Sequence, residues 1–240
     1  MEPIVSIVNV VKEYRLGKVV VPALRGVSLE VTPGEFISVA GPSGSGKTTL
    51  LNLIGCVDTA TSGTVKVGGQ DTGKLSEREL TRLRLHTIGF IFQSFNLVSV
   101  LTAYQNVEFP LLLQKTLSGA ERKARVNGLL ERVGLGDHAK HRPNELSGGQ
   151  RQRVAVARAL VTRPKIVLAD EPTANLDSVT GQNIIDLMKE MNREDGTTFI
   201  FSTHDPKVMS HANAVVRIAD GKVLDRVAPD AVAAASGMHA

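Results

Sequence analysis

A single cysteine, Cys56, and no tryptophan occur among the 240 residues. One thiol cannot close an internal disulfide, so a bridge-stapled scaffold is excluded and a reducing compartment is expected. Seven Phe and two Tyr leave little surface for stacking unpaired bases. No apolar run approaches the roughly 18 residues that a membrane-spanning helix needs. The start, Met1-Glu2-Pro3-Ile4, lacks the basic and apolar regions of a secretory leader. A soluble intracellular protein is the expectation. Positive charge is in slight excess, 28 Lys and Arg against 24 Asp and Glu, net +4. It is scattered rather than gathered on one arm, so nucleic acid is not an expected partner. What remains, 42% hydrophobic and 22% charged residues, is ordinary globular composition for one or two domains.

Apolar runs at Val5–Val11, Val27–Val31 and Phe36–Ala40 are punctuated by Gly17, Pro22, Gly26 and Pro33-Gly34. They read as short strands and turns in a β-rich N-terminal lobe. After Gly46 the apolar spacing becomes helical through Leu50, Leu51, Leu53 and Ile54. Ser76 with Glu79 and Ser118 with Glu121 are capping boxes, each opening a helix. Thr102–Val133 is helical in spacing, whereas Ile88–Phe92, Ile166–Ala169, Thr198–Ser202 and Ala214–Ala219 are strand-like. Helix-length segments between the later runs predict βαβ units and a parallel sheet. Asp220-Gly221 predicts a hairpin to Lys222–Asp225. The expected organisation is an α/β core over residues 1–227, carrying an all-helical insertion at about 94–160. A loose Ala-rich tail at 228–240 follows.

Gly41-Pro42-Ser43-Gly44-Ser45-Gly46-Lys47-Thr48 fits the pattern G-x-x-x-x-G-K-[ST], after a strand and before a helix. Its glycines let backbone N–H groups turn inward as a nest for phosphate oxygens, and the helix adds its positive dipole end. Lys47 places a point charge on the outer phosphates, and the Thr48 hydroxyl is a magnesium ligand. Asp170 ends the apolar run Ile166–Ala169 and would emerge beside the loop to hold magnesium. Glu171 follows as the group to orient and deprotonate water. His204 ends the neighbouring strand and can donate to a γ-phosphate oxygen. Gln93 ends a third strand, placed to touch metal and water. Leu146-Ser147-Gly148-Gly149-Gln150 opens a long helix with Ser147 as N-cap, a second anion-binding terminus in the same chain.

These motifs, in this order, resemble the nucleotide-binding subunits of ATP-binding-cassette (ABC) transporters from about Ile4 to Val227. Walker A is Gly41–Thr48, the signature Leu146–Gln150, and Walker B with its glutamate Ile166–Glu171. The glutamine loop is Gln93, the D-loop Ala174-Asn175-Leu176-Asp177, and the switch histidine His204. Leu51-Asn52-Leu53-Ile54-Gly55, Phe95-Asn96-Leu97 and Ala169–Asp177 are similar to the lipoprotein-release and macrolide-export group, the LolD-like and MacB-like ATPases. Ala174 departs from the Gly expected there.

The resemblance implies a P-loop NTPase fold of ABC type. Its RecA-like, mostly parallel sheet would carry an antiparallel β lobe and an all-helical subdomain. It implies hydrolysis of ATP with Mg2+ held by Thr48, Gln93 and Asp170, and catalytic roles for Glu171, His204, Lys47 and Gln93. ATP would contact Tyr14, stacked on adenine, and Gly41, Pro42, Ser43, Gly44, Ser45, Gly46, Lys47, Thr48 and Thr49. A second copy would supply Ser147, Gly148, Gly149, Gln150 and Asp177 in trans. Implied partners are that copy and integral membrane permease subunits, at the cytoplasmic face of the inner membrane. The implied activity is export or extraction, the alternative being an envelope-regulating ATPase that transmits force without cargo. Soluble ABC proteins of repair or translation need a long coiled coil or two cassettes. Here Lys47 and Leu146 stand only 99 positions apart, without sustained heptads.

Overall fold

In the computed structural model, which describes residues 2–229, two sheets share one apolar layer. Strands β1 (Val5–Leu16), β2 (Val19–Val31), β4 (Ser62–Val67) and β5 (Gln70–Asp71) form an antiparallel sheet of order β2-β1-β4-β5. The larger sheet contains β3 (Phe36–Ala40), β6 (Ile88–Ile91), β7 (Ile166–Asp170), β8 (Thr198–Thr203), β9 (Ala214–Ala219) and β10 (Lys222–Val227), in the order β10-β9-β3-β8-β7-β6. All its pairings are parallel except β9 with β10. That last pair is the expected hairpin, turning through Asp220 and Gly221 at φ 49 and 76.

Period-two alternation divides the central strands between two cores. Phe36, Val167, Ala169, Phe199 and Phe201 face one side, where α3 (Ala103–Gln114), α4 (Gly119–Arg132), α5 (Gly148–Leu160) and α6 (Ser178–Asp195) pack. Ile37, Val39, Leu168 and Ile200 face the other, against α1 (Lys47–Ile54), α2 (Glu77–Thr87) and the antiparallel sheet. Phe36, Phe199 and Phe201 are fully buried, with Phe36 5.6 Å and 5.0 Å from the other two ring centroids. Each such side chain contributes about 1.5–3 kcal/mol relative to exposure. A short helix, α7 (Pro206–Met209), follows β8.

Both expected capping boxes form, Ser76 with Glu79 and Ser118 with Glu121, and a third forms at Thr102 and Gln105. Two strand readings are corrected. Pro22 does not end a strand but pairs with Glu13 inside β2. Since β2 is an edge strand, it is the kind of strand that tolerates proline. Strands β4 and β5, absent from the sequence reading, complete the antiparallel sheet. Ala228 and Pro229 follow β10. The rest of the expected tail, 230–240, lies outside the described residues.

Candidate nucleotide site

Parallel register brings three strand ends to one place. Ala40 of β3 pairs with Thr203 of β8, and Asp170 of β7 pairs with Ser202. The phosphate loop, Asp170-Glu171 and Thr203-His204 therefore leave the sheet side by side, at the carboxyl ends where α/β folds bind ligands.

The loop is threaded between β2 and the β9–β10 hairpin. A Cβ at Gly41 would lie 2.1 Å from Ile218 O, and one at Gly46 would lie 2.7 Å from Ala23 O. Gly46 also adopts φ 105 as the N-cap of α1, a backbone state closed to most side chains. No side chain caps α1, so its first-turn amides point outward without a side-chain acceptor. Pro42, Ser43 and Gly44 form the exposed crest, while Ser45 and Lys47 are buried. Lys47 Nζ donates to the carbonyls of Gly41 at 2.7 Å and Pro42 at 3.0 Å. It lies 3.9 Å from Glu171 Oε1. This end combines free donors, a helix dipole and one fixed cation, which is what a polyphosphate requires.

Thr48 Oγ1 donates to Asp170 Oδ2 at 3.0 Å, across 122 residues of sequence. A hydroxyl and a carboxylate, both hard oxygen donors, fit hydrated Mg2+ rather than a softer metal. Among the described residues no group of three His, Cys, Asp or Glu gathers, so a fully protein-made cage is not formed. Ser202, unnoticed in the sequence reading, donates to Asp170 Oδ1 at 2.6 Å and accepts the Glu171 N–H at 2.9 Å. This buried hydroxyl ties the Asp170 carboxylate to the Glu171 backbone. Its one sequence signal is a polar residue directly after the apolar run Phe199–Phe201 of β8.

Glu171 adopts φ 46, a strained value for a non-glycine residue and frequent at functional sites. Its carboxylate oxygens lie 3.0 and 3.1 Å from His204 Nδ1. A ring donating through Nδ1 presents an acceptor at Nε2 when neutral. Donation from His204 to a phosphate therefore needs the imidazolium form or a rotated ring.

Other expected residues are placed less directly. Gln93 is exposed, and its side chain makes no hydrogen bond to Thr48 or Asp170. Its carbonyl accepts from Asn175 Nδ2 at 2.9 Å, joining the two loops. The turn beyond it has Phe95 and Asn96 at φ 60 and 47. Arg158 of α5 bolts this turn down by donating to their carbonyls at 2.7 and 2.5 Å. Burial lowers the pKa of that guanidinium. Tyr14 is half-buried, its hydroxyl on Asp58.

The second helix terminus is built differently. Ser147 Oγ accepts the Gln150 N–H at 3.3 Å, and Gln150 Oε1 accepts the Ser147 N–H at 2.8 Å. A Cβ at Gly149 would lie 2.4 Å from Thr180 Cγ2, so this glycine serves close packing of α5 on α6. Asp177 caps α6 by accepting from Thr180 N at 3.0 Å, and its bonds to Thr180 hold its carboxyl below the usual range. No hydrogen bond joins Ser147, Gly148, Gly149 or Gln150 to the phosphate loop among the described residues.

Residues 24–174 match the family described as ABC transporter. An ABC transporter ATP-binding protein of Thermotoga maritima is 48% identical over 93% of this chain and 94% of its own length. The macrolide export ATP-binding/permease protein MacB of Syntrophobacter fumaroxidans is 46% identical over 92% of this chain, which spans only 31% of it. Among solved structures, the dimeric post-hydrolysis state of the cassette MJ0796 of Methanocaldococcus jannaschii, bound to ADP and Pi, superposes with a TM-score of 0.87. That comparison has 46% identity and covers 94% of this chain and 98% of the other. By these matches the chain belongs to the ABC transporter family and is an ATP-binding, Mg2+-dependent ATPase cassette.

Proposed function

We propose that two copies of this chain pair head to tail and power an exporter or extractor of lipids or lipoproteins from the cytoplasmic face of the inner membrane. The observation that carries the pairing is that, among the described residues, no hydrogen bond joins the Ser147–Gln150 terminus to the phosphate loop of the same chain. One chain offers a phosphate loop without the signature and a signature without the loop, so a complete site requires a second copy. The dimeric structures of the MJ0796 cassette support this reading.

In the composite site Lys47 and the α1 amides hold the phosphates, while Ser147, Gly148 and Gly149 of the second copy close over them. Tyr14 and Thr49 line the base side, and Asp177 faces the partner. Thr48 and Asp170, with Gln93, hold the metal, which supplies charge neutralisation when bound. Glu171 accepts the proton of the attacking water, positioned by Ser202 and His204.

No helix among the described residues is long and apolar enough to cross a membrane. The helical insertion exposes Val98, Val100, Phe109, Leu112 and Leu113, an apolar surface for a permease subunit. The MacB relative, a macrolide export ATP-binding/permease protein, supports export. Co-purification from native membranes tests this. A partner with four membrane spans and a large extracytoplasmic domain is expected, whereas a six-span permease with a binding protein would overturn the export reading.

A further inference from the structure

Lys12 and Tyr14 lie two residues apart on β1 and therefore share one face of the strand. Facing them is the loop that leaves α1. Lys12 Nζ, on a side chain only 11% exposed, donates to Asp58 Oδ1 at 2.6 Å and to Thr59 O at 2.9 Å. The Tyr14 hydroxyl donates to the other oxygen of the same carboxylate, Oδ2, at 2.9 Å. The Lys12 ammonium also stands 4.8 Å from the centroid of the Tyr14 ring. Tyr14 is thus fixed twice, by its hydroxyl and by one face.

An exposed aromatic that stacks on a ligand must first give up rotamer freedom, and prior fixation removes that cost from binding. One carboxylate also joins the antiparallel sheet to the exit of α1, the helix that holds the phosphate loop. The distance between base shelf and phosphate cradle is thereby set within the chain.

We propose that Asp58 and Lys12 are positioning residues of the nucleotide site, holding the Tyr14 ring so that a single face is offered to the purine base. This rests on the reading of Tyr14 as the base-stacking residue. The ionisation of the cluster agrees with it. Burial and the Asp58 bond raise the pKa of the Tyr14 hydroxyl against an opposing hydrogen bond from Thr49. Burial would raise that of Asp58, but the bonds from Lys12, Tyr14 and the Thr59 amide hold it below the usual carboxylate range.

With no tryptophan and only two tyrosines in the sequence, a Tyr104→Phe background leaves Tyr14 as the sole phenol. In that background, Asp58→Asn should shift the tyrosinate absorbance titration to lower pH. It should also weaken ATP and ADP by the same factor, about three- to tenfold, because both carry the base. Turnover at saturating ATP should change by no more than about twofold, since no group near the γ-phosphate is touched. Asp58→Glu should restore part of the affinity, and Lys12→Arg, which keeps a cation over the ring, should retain more affinity than Lys12→Met. The control is Tyr14→Ala. If it weakens nucleotide binding while Asp58→Asn does not, the positioning role is wrong and base stacking stands. If Tyr14→Ala leaves ATP affinity unchanged, the stacking reading fails and the proposal with it. An effect of Asp58→Asn confined to turnover would also overturn it.

Discussion

The N-termini of α1 and α5 are both anion-binding ends in principle, yet they are finished in opposite ways. α1 has a left-handed glycine before it, no side-chain cap and a buried lysine over its loop. α5 is closed on itself by Ser147 and Gln150, as α2, α3 and α4 are closed by their own boxes. Orphan amides at a helix start want an acceptor. Where the chain supplies one, the helix is stable alone. Where it withholds one, a ligand does the work. The first terminus is prepared to hold phosphate without help, and the second presents only its glycine amides and a hydroxyl with a hydrogen to spare.

The largest expected break lies beside α1 rather than in it. Glu171→Gln should lower turnover by about 10³-fold, the scale of losing a general base, while ATP affinity persists and an ATP-bound dimer accumulates in size-exclusion chromatography. Lys47→Ala should reduce turnover by about 10²-fold and weaken ATP as well, since a charge at the open terminus is lost. At α5 the effects are on folding as much as on chemistry. Gly149→Ala should cost about 1–3 kcal/mol in denaturant unfolding through its clash with Thr180 Cγ2, and Thr180→Ser, which removes that methyl, should restore most of it. The smallest effect is the sharpest comparison. Ser147→Ala and Ser76→Ala each remove a capping-box hydroxyl and should each cost about 1 kcal/mol of stability. Only Ser147→Ala should also slow ATP hydrolysis, because only that terminus would face a second copy's nucleotide.

What the sequence disclosed was local. β3 and β9 run over the same residues as their apolar patterns, and each capping box read from Ser and Glu spacing is present. The phosphate loop was legible because its chemistry lies within eight consecutive positions. β4 was hidden because Gly63 reads as a breaker. In the fold it adopts φ +86, and a Cβ there would lie 2.4 Å from Asn9 O at the irregular part of β1. Only long-range pairing makes that glycine a strand residue. The same holds for the site's support. Thr48 with Asp170, Ser202 with Asp170, and Arg158 with the Phe95-Asn96 turn are contacts across 122, 32 and about 60 positions, set by strand order and helix packing. His204 was expected to donate to phosphate, and its Nδ1 stands 3.0 Å from Glu171 Oε1, a partner the strand-end position alone did not announce.

Mixing two inactive variants tests the division of labour between these termini. Lys47→Ala disables the phosphate loop of one copy, and Ser147→Arg obstructs the signature of the other. In a mixed pair, the Ser147→Arg copy still has its own Lys47 and can meet the intact signature of the Lys47→Ala copy. ATP hydrolysis that is absent from each variant alone and reappears on mixing is the predicted result. If the mixture stays as inactive as its components while mixed pairs form, each site is completed within a single chain and the head-to-tail account is contradicted.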